Sequence, residues 1–166
     1  MKQFLPLLLA LVLLGAAGCK PKEVPAIQRK EAANLASEAQ FALTLRDYKR
    51  AEPLFEKAAK LCPDTGEYWI NLGVTRRRLD NKSGAKSAFE QAVDVYRDAF
   101  DRDPKDTDAV LREVYVLALL GKVDDARKVL EKARKKAPES RELRAFSEAH
   151  QFDRILEDPM YKELAL

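Results

Sequence analysis

Two thiols and one imidazole, Cys19, Cys62 and His150, are the side chains best suited to nucleophilic or metal chemistry. One histidine and two cysteines exclude a zinc site of the usual Cys/His spacing and any disulfide framework. Cys62 precedes Pro63 at the end of an apolar-periodic stretch, with no histidine near it in sequence to hold a thiolate. It reads as a small buried hydrophobe. His150 has no second imidazole or thiol with which to share a metal and reads as surface or interface structure. Carboxylates are abundant, as in Asp124-Asp125 and the stretch from Asp101 to Asp108, but the chain is 34% charged. In such a chain they read as solvated helix ends and faces. No Ser-His-Asp, His-Glu-x-x-His or phosphate-loop pattern occurs. The expectation is a protein that is not an enzyme, with no cofactor, metal or small-molecule substrate.

The elements that carry these residues follow from composition. At 166 residues the chain is about one domain, and 30 Lys+Arg against 27 Asp+Glu leave a formal charge of +3. That balance produces no basic field of the kind that attracts nucleic acid. Six glycines argue against an all-β domain dense in turns, which leaves a helical, charge-rich chain.

The first residues read as an address. Met1-Lys2-Gln3 is a short positive segment, and Phe4 to Leu14 is an apolar run broken by Pro6. As a helix this run spans roughly 16 Å, short of a hydrocarbon core of about 30 Å. Gly15 to Gly18 then supply the small residues that a signal peptidase accepts. Leu14-Gly15-Ala16-Ala17-Gly18-Cys19 resembles the bacterial lipoprotein lipobox, with Ala16 standing where Leu is usual. The resemblance implies cleavage between Gly18 and Cys19, a diacylglycerol on the Cys19 thiol and firm membrane anchoring. Lys20, rather than Asp, follows the cysteine, which implies the outer membrane, facing the periplasm. Residues 1–18 are thus expected to be a signal peptide. Residues 19–29, with Pro21 and Pro25, are expected to be the lipidated N-terminus and a tether.

A repeat of thirty-four residues runs through the rest. Ala51, Phe55 and Ala58 recur as Ala85, Phe89 and Ala92, shifted by 34, and as Ala126, Leu130 and Ala133, shifted by a further 41. Trp69-x-x-Leu72-Gly73 precedes the second set at the spacing of the tetratricopeptide pattern. On these residues the chain resembles a three-repeat tetratricopeptide domain over residues 30–138, followed by a capping segment over 139–166. The implied fold is all-α: a right-handed solenoid of about three helix pairs with a C-terminal capping helix. Each pair is expected to cross where side chains are small, at Ala39 and Gly73 on first helices and at Ala51, Ala85 and Ala126 on second helices. Phe55, Phe89 and Leu130 then plug the gap one turn on.

The expected helices are Lys30–Leu45, Tyr48–Leu61, Gly66–Leu79, Ser83–Asp101, Asp106–Leu120 and Val123–Lys136, with a further helix from near Ser140. The fourth carries a seven-residue insertion through which Ala92, Val93, Tyr96, Ala99 and Phe100 keep a 3–4 spacing, so it lengthens by about 10 Å without turning its stripe. Tyr96 and Phe100 have two expected fates: burial under neighbouring segments, or an exposed ridge for a partner. The ending Asp158-Pro159-x-Tyr161-x-x-Leu164 resembles the tail that closes many tetratricopeptide arrays.

The resemblance implies a concave binding surface on the first helix of each repeat, which singles out Gln40, Thr44, Asn71, Arg77, Arg78, Arg112 and Tyr115. Of the five positions that clamp a peptide carboxylate in some relatives, Asn71 and Arg112 match, while Ala36, Gln40 and Asp108 do not. The implied function is a membrane-anchored periplasmic scaffold that holds an unidentified protein or peptide. It would assist assembly of an envelope complex such as a pilus, secretion or outer-membrane machine. The alternative is a structural subunit of a stable envelope complex or homo-oligomer.

Overall fold

The structure, a computed structural model, describes residues 23–166. The signal peptide, Cys19 and the first part of the tether lie outside the described residues.

Among the described residues nine helices follow one another: α1 (Ala26–Thr44), α2 (Tyr48–Leu61), α3 (Gly66–Arg78), α4 (Lys82–Arg102), α5 (Thr107–Leu119), α6 (Val123–Lys136), α7 (Arg141–Glu148), α8 (Gln151–Glu157) and α9 (Pro159–Leu164). Each of the first six packs on its neighbours in the chain, making three antiparallel hairpins stacked as a solenoid. None of the nine is long and apolar enough to cross a membrane.

The alanine register explains the crossings. Ala39, Ala42, Ala51, Phe55, Leu72 and Ala88 form one buried cluster across the first two hairpins. In the second hairpin a Cβ on Gly73 would fall inside van der Waals contact of the Phe89 ring, so the helices meet there only because the side chain is absent. Polar groups reinforce the stack. Arg76 pairs with Glu52 of the preceding hairpin at 2.9 Å, and the Trp69 indole donates to the Pro63 carbonyl at 3.0 Å.

The bend inside each hairpin is also repeated. Arg46, Asp80 and Gly121 hold φ of 57°, 60° and 71°, each directly after the residue that closes its first helix. Behind them Asp47, Asn81 and Lys122 donate backbone N–H groups to the carbonyls of Ala42, Arg76 and Leu117 at 2.8–2.9 Å. This is the left-handed helix stop that glycine favours, occupied twice by other residues. Asp47 and Asn81 then cap α2 and α4 by accepting from the N–H groups of Arg50 and Gly84.

Three expectations change. First, α1 begins at Ala26, four residues before the expected start, so residues 26–29 are helix rather than tether. Pro25 sits at the N-cap, where its fixed φ and missing N–H cost nothing, and Arg29 pairs with Asp64 at 2.6 Å. Second, the capping segment is three short helices. His150 (φ 49°) ends α7, and extended Asp158 separates α8 from α9. Third, the exposed ridge on α4 is absent. Tyr96 and Phe100 are only 9% and 6% exposed. The Tyr96 ring lies on Gly66, whose missing side chain makes room for it. Phe100 joins the core with Ala109 and Val110 of α5, and the Lys136 ammonium stands 5.0 Å from its ring centroid. The extra turns of α4 are therefore covered by the starts of α3 and α5 and the end of α6.

Candidate functional site

The first helix of each hairpin presents the residues expected to line a groove, and the three helices treat them differently. On α1, Gln40 and Thr44 are exposed, and the Thr44 hydroxyl donates to the Phe41 carbonyl of its own helix at 2.6 Å. On α3, Asn71, Arg77 and Arg78 are half-buried, as are Arg112 and Tyr115 on α5.

Arg112 is engaged by carboxylates on both sides. Its guanidinium donates to Asp108 at 2.8 Å and to Glu67 of α3 at 2.5 Å, tying the second and third hairpins together. The Tyr96 hydroxyl donates to the same Glu67 carboxylate at 3.3 Å. Burial, with Glu67 close by, pushes that phenol up to about 12, so it remains a hydrogen-bond donor. Arg112 consequently lies in a cross-helix network with Glu67, Asp108 and Tyr96.

Arg77 and Arg78 are held by the last helix. Arg78 pairs with Glu163, and the Arg77 Nε donates to the Ala165 carbonyl at 3.2 Å. The Tyr161 hydroxyl donates to the Ala118 carbonyl at 2.9 Å, and the Leu166 N–H donates to the Leu119 carbonyl at 2.9 Å. Ala118 and Leu119 of α5 occupy the places that Arg77 and Arg78 occupy on α3, 41 residues earlier. The segment 158–166 thus crosses the concave face at the C-terminal ends of α3 and α5. Beside it, Tyr115 lines a cleft of about 300 Å³ together with Arg154, Ile155, Asp158, Met160 and Tyr161. Burial raises the Tyr115 hydroxyl, with the Asp158 carboxylate adding to the effect.

The structure therefore brings Arg77, Arg78 and Tyr115 together under one segment and leaves Gln40 and Thr44 apart from them. Glu163, Tyr161, Glu67 and Ala118 are the participants that sequence reasoning missed. No period links a residue in α9 to one in α3, eighty-five positions away. The only sequence signal was the aromatic and leucine of the closing motif, which pointed to a covered end and not to a filled groove.

The α1 end has a further apolar surface. Phe41 and Leu45 are 58% and 62% exposed. The equivalents of Phe41 in the next two hairpins, Thr75 and Val116, are both 0% exposed, and those of Leu45, Leu79 and Leu120, are half-buried. Cys62 is buried, and burial raises its thiol pKa, which suits packing rather than nucleophilic attack. Among the described residues no group of three or more His, Cys, Asp or Glu side chains is placed to hold a metal ion.

Stacked αα-hairpins with small residues at their crossings and a concave face lined by first helices define a helical-repeat scaffold of the protein-interaction class. Sequence models described as tetratricopeptide repeat match residues 37–93 and 85–148, overlapping within α4. The chain belongs to the tetratricopeptide repeat family, whose fold is typically a non-catalytic protein-interaction module. A comparison with curated proteins finds no match.

Proposed function

We propose that this protein is a lipid-anchored interaction scaffold of the bacterial cell envelope. It is held at the outer membrane through Cys19, faces the periplasm, and grips a protein or peptide segment during assembly of an envelope machine such as a pilus, secretion or outer-membrane complex. The observation that carries the scaffold reading is the bare last turn of α1. There the exposed concave residues Gln40 and Thr44 stand beside the uncovered apolar pair Phe41 and Leu45. An exposed apolar pair rimmed by polar side chains is the kind of surface that partners cover. The anchor reading is supported by the apolar run and small residues leading to Cys19.

Photo-crosslinking in native membranes tests both parts. A crosslinker at position 40 should capture a discrete protein, and one at exposed Lys86 should not. Cys19→Ser should abolish lipid labelling and move the chain to the soluble fraction. Equal capture from both positions, or unchanged fractionation of the Cys19 variant, contradicts the proposal.

The reading as a fixed structural subunit has one observation in its favour. Phe41 stands at a place that is fully buried in each later hairpin, so a lasting contact there would continue the stack. Sedimentation of the purified chain decides between them: a monomer supports the reversible scaffold, and a stable oligomer supports the subunit.

A further inference from the structure

The segment 158–166 does more than close the array. The open end of the third hairpin is already covered by α7 and α8, whose Leu143, Phe146 and Phe152 complete the core around α5 and α6. The chain then turns at extended Asp158, begins a new helix at Pro159, and runs back along the concave face as far as the second hairpin. A cap for the last hairpin has no need of that reach.

The contacts it makes there are those a receptor makes to a bound peptide. Arginine side chains of the groove reach a carboxylate and a main-chain carbonyl of the segment, at Glu163 and Ala165. The segment in turn gives one main-chain N–H and one phenol hydroxyl to carbonyls of α5. Two of its side chains, Tyr161 and Leu164, are buried three positions apart on one face of α9, while Met160 beside them stays exposed. A six-residue helix cannot hold itself together alone and depends on those few contacts. Segments anchored so sparsely open at a fraction of the free energy of global unfolding.

We propose that residues 158–166 are a displaceable occupant of this groove. The section of concave face they cover, with Arg77, Arg78 and Tyr115, is then a docking site for a short helical segment of a partner protein. The partner segment carries an aromatic residue and a leucine three positions apart with a carboxylate between them, the pattern of Tyr161, Glu163 and Leu164. This rests on the scaffold reading and adds its regulation. The tail competes at the high effective concentration of a tethered ligand, so only a matched partner, or one presented at high local concentration, enters.

The probe is a fluorescent peptide with the sequence of residues 156–166, titrated into the full-length chain. Intact protein should bind it weakly, and a variant with Tyr161→Ala and Leu164→Ala should bind about tenfold or more tightly, because its own tail no longer competes. Adding Arg77→Ala and Arg78→Ala to that variant should weaken binding again by about tenfold. A tail-released variant that keeps its helical signal and cooperative melting yet binds no peptide overturns the proposal, as does equal binding by intact and released chains.

Should the variant fail to fold, amide hydrogen exchange on the unmodified chain decides. Residues 160–166 should exchange about a hundredfold faster than Val116–Leu119 of α5, and equal protection overturns the proposal. A dimer of the intact chain that disappears when residues 158–166 are removed would assign the groove to a second copy instead of a partner. Crosslinking from position 40 reads the scaffold independently. If it captures a protein while the peptide fails to bind, the displaceable tail falls and the scaffold stands.

Discussion

The two ends of the concave face are built from equivalent positions and end in opposite states. At the α3–α5 end, Arg77, Arg78, Ala118 and Leu119 are covered by the segment that follows the last hairpin. At the α1 end, among the described residues, no such segment lies over their counterparts: Leu43 is half-buried and Thr44 exposed. The inversion is sharper one position earlier. Phe41, a large apolar side chain, is exposed, whereas Thr75, a hydroxyl-bearing one at the same place in the next hairpin, is fully buried. Thr75 meets its burial by donating to the Asn71 carbonyl at 2.7 Å. Position in the stack, rather than residue type, decides which side chains reach water. Solenoid ends usually turn a polar face outward, and the exposed apolar pair Phe41 and Leu45 departs from that habit.

Truncating one phenylalanine at each kind of site separates the two ends most forcefully. Phe89→Ala removes a ring from the centre of the second hairpin and should cost about 3–5 kcal/mol. Phe41→Ala should change stability by no more than about 0.5 kcal/mol while weakening crosslinking to a partner. Denaturant melts of the two variants check this, and similar losses would mean that α1 is covered after all. Next in size is Gly73→Leu, which drives a side chain into the Phe89 ring and should cost about 1–3 kcal/mol or more. The exposed change Lys82→Ala should stay within about 0.5 kcal/mol.

Effects at the hairpin bends are smaller. Arg46→Gly and Asp80→Gly relieve a positive φ and should each raise stability by up to about 1 kcal/mol, and Gly121→Ala should lower it by a similar amount. Thermal melts measure both, and opposite signs would contradict the shared bend.

The smallest effect is pH-dependent and sits at Glu113, which stands where the repeat pattern has leucine. It is buried, and burial raises its carboxyl pKa even though the Arg97 guanidinium, 3.0 Å away, opposes the rise. Below the usual carboxylate range both folded and unfolded chains hold the proton, and burial of the neutral acid carries no charge penalty. As pH rises through the raised native value, the folded state must keep a buried carboxylate and loses stability relative to the unfolded chain. Glu113→Gln should therefore match the parent in acid and exceed it at neutral pH. A difference curve of opposite slope would show that the Arg97 pair outweighs the desolvation.

Much of this fold was legible because its constraints are local. The bounds expected for α2 and α6, Tyr48–Leu61 and Val123–Lys136, are those observed, since proline stops and alanine spacing act over a few residues. The start of α1 was missed because Pro25 was read as a breaker, whereas proline is well tolerated just outside a first turn. The breaks at His150 and Asp158 were missed because neither carries the usual glycine signal. At the candidate site, the repeat register offers candidate groove residues such as Arg77, Arg78 and Tyr115. It does not give their engagement, because the pairing of Arg78 with Glu163 is a tertiary event with no periodic trace.

Place in the stack sets exposure and leaves Phe41 of α1 in solvent. Thiol labelling of the separate substitutions Phe41→Cys, Thr75→Cys and Val116→Cys, each in a Cys19→Ser chain that keeps buried Cys62 as the internal standard, reads this exposure. Position 41 should react at nearly the rate of an unfolded thiol, and positions 75 and 116 about a hundredfold or more slowly, through opening of the stack. Comparable rates at all three positions would contradict the account.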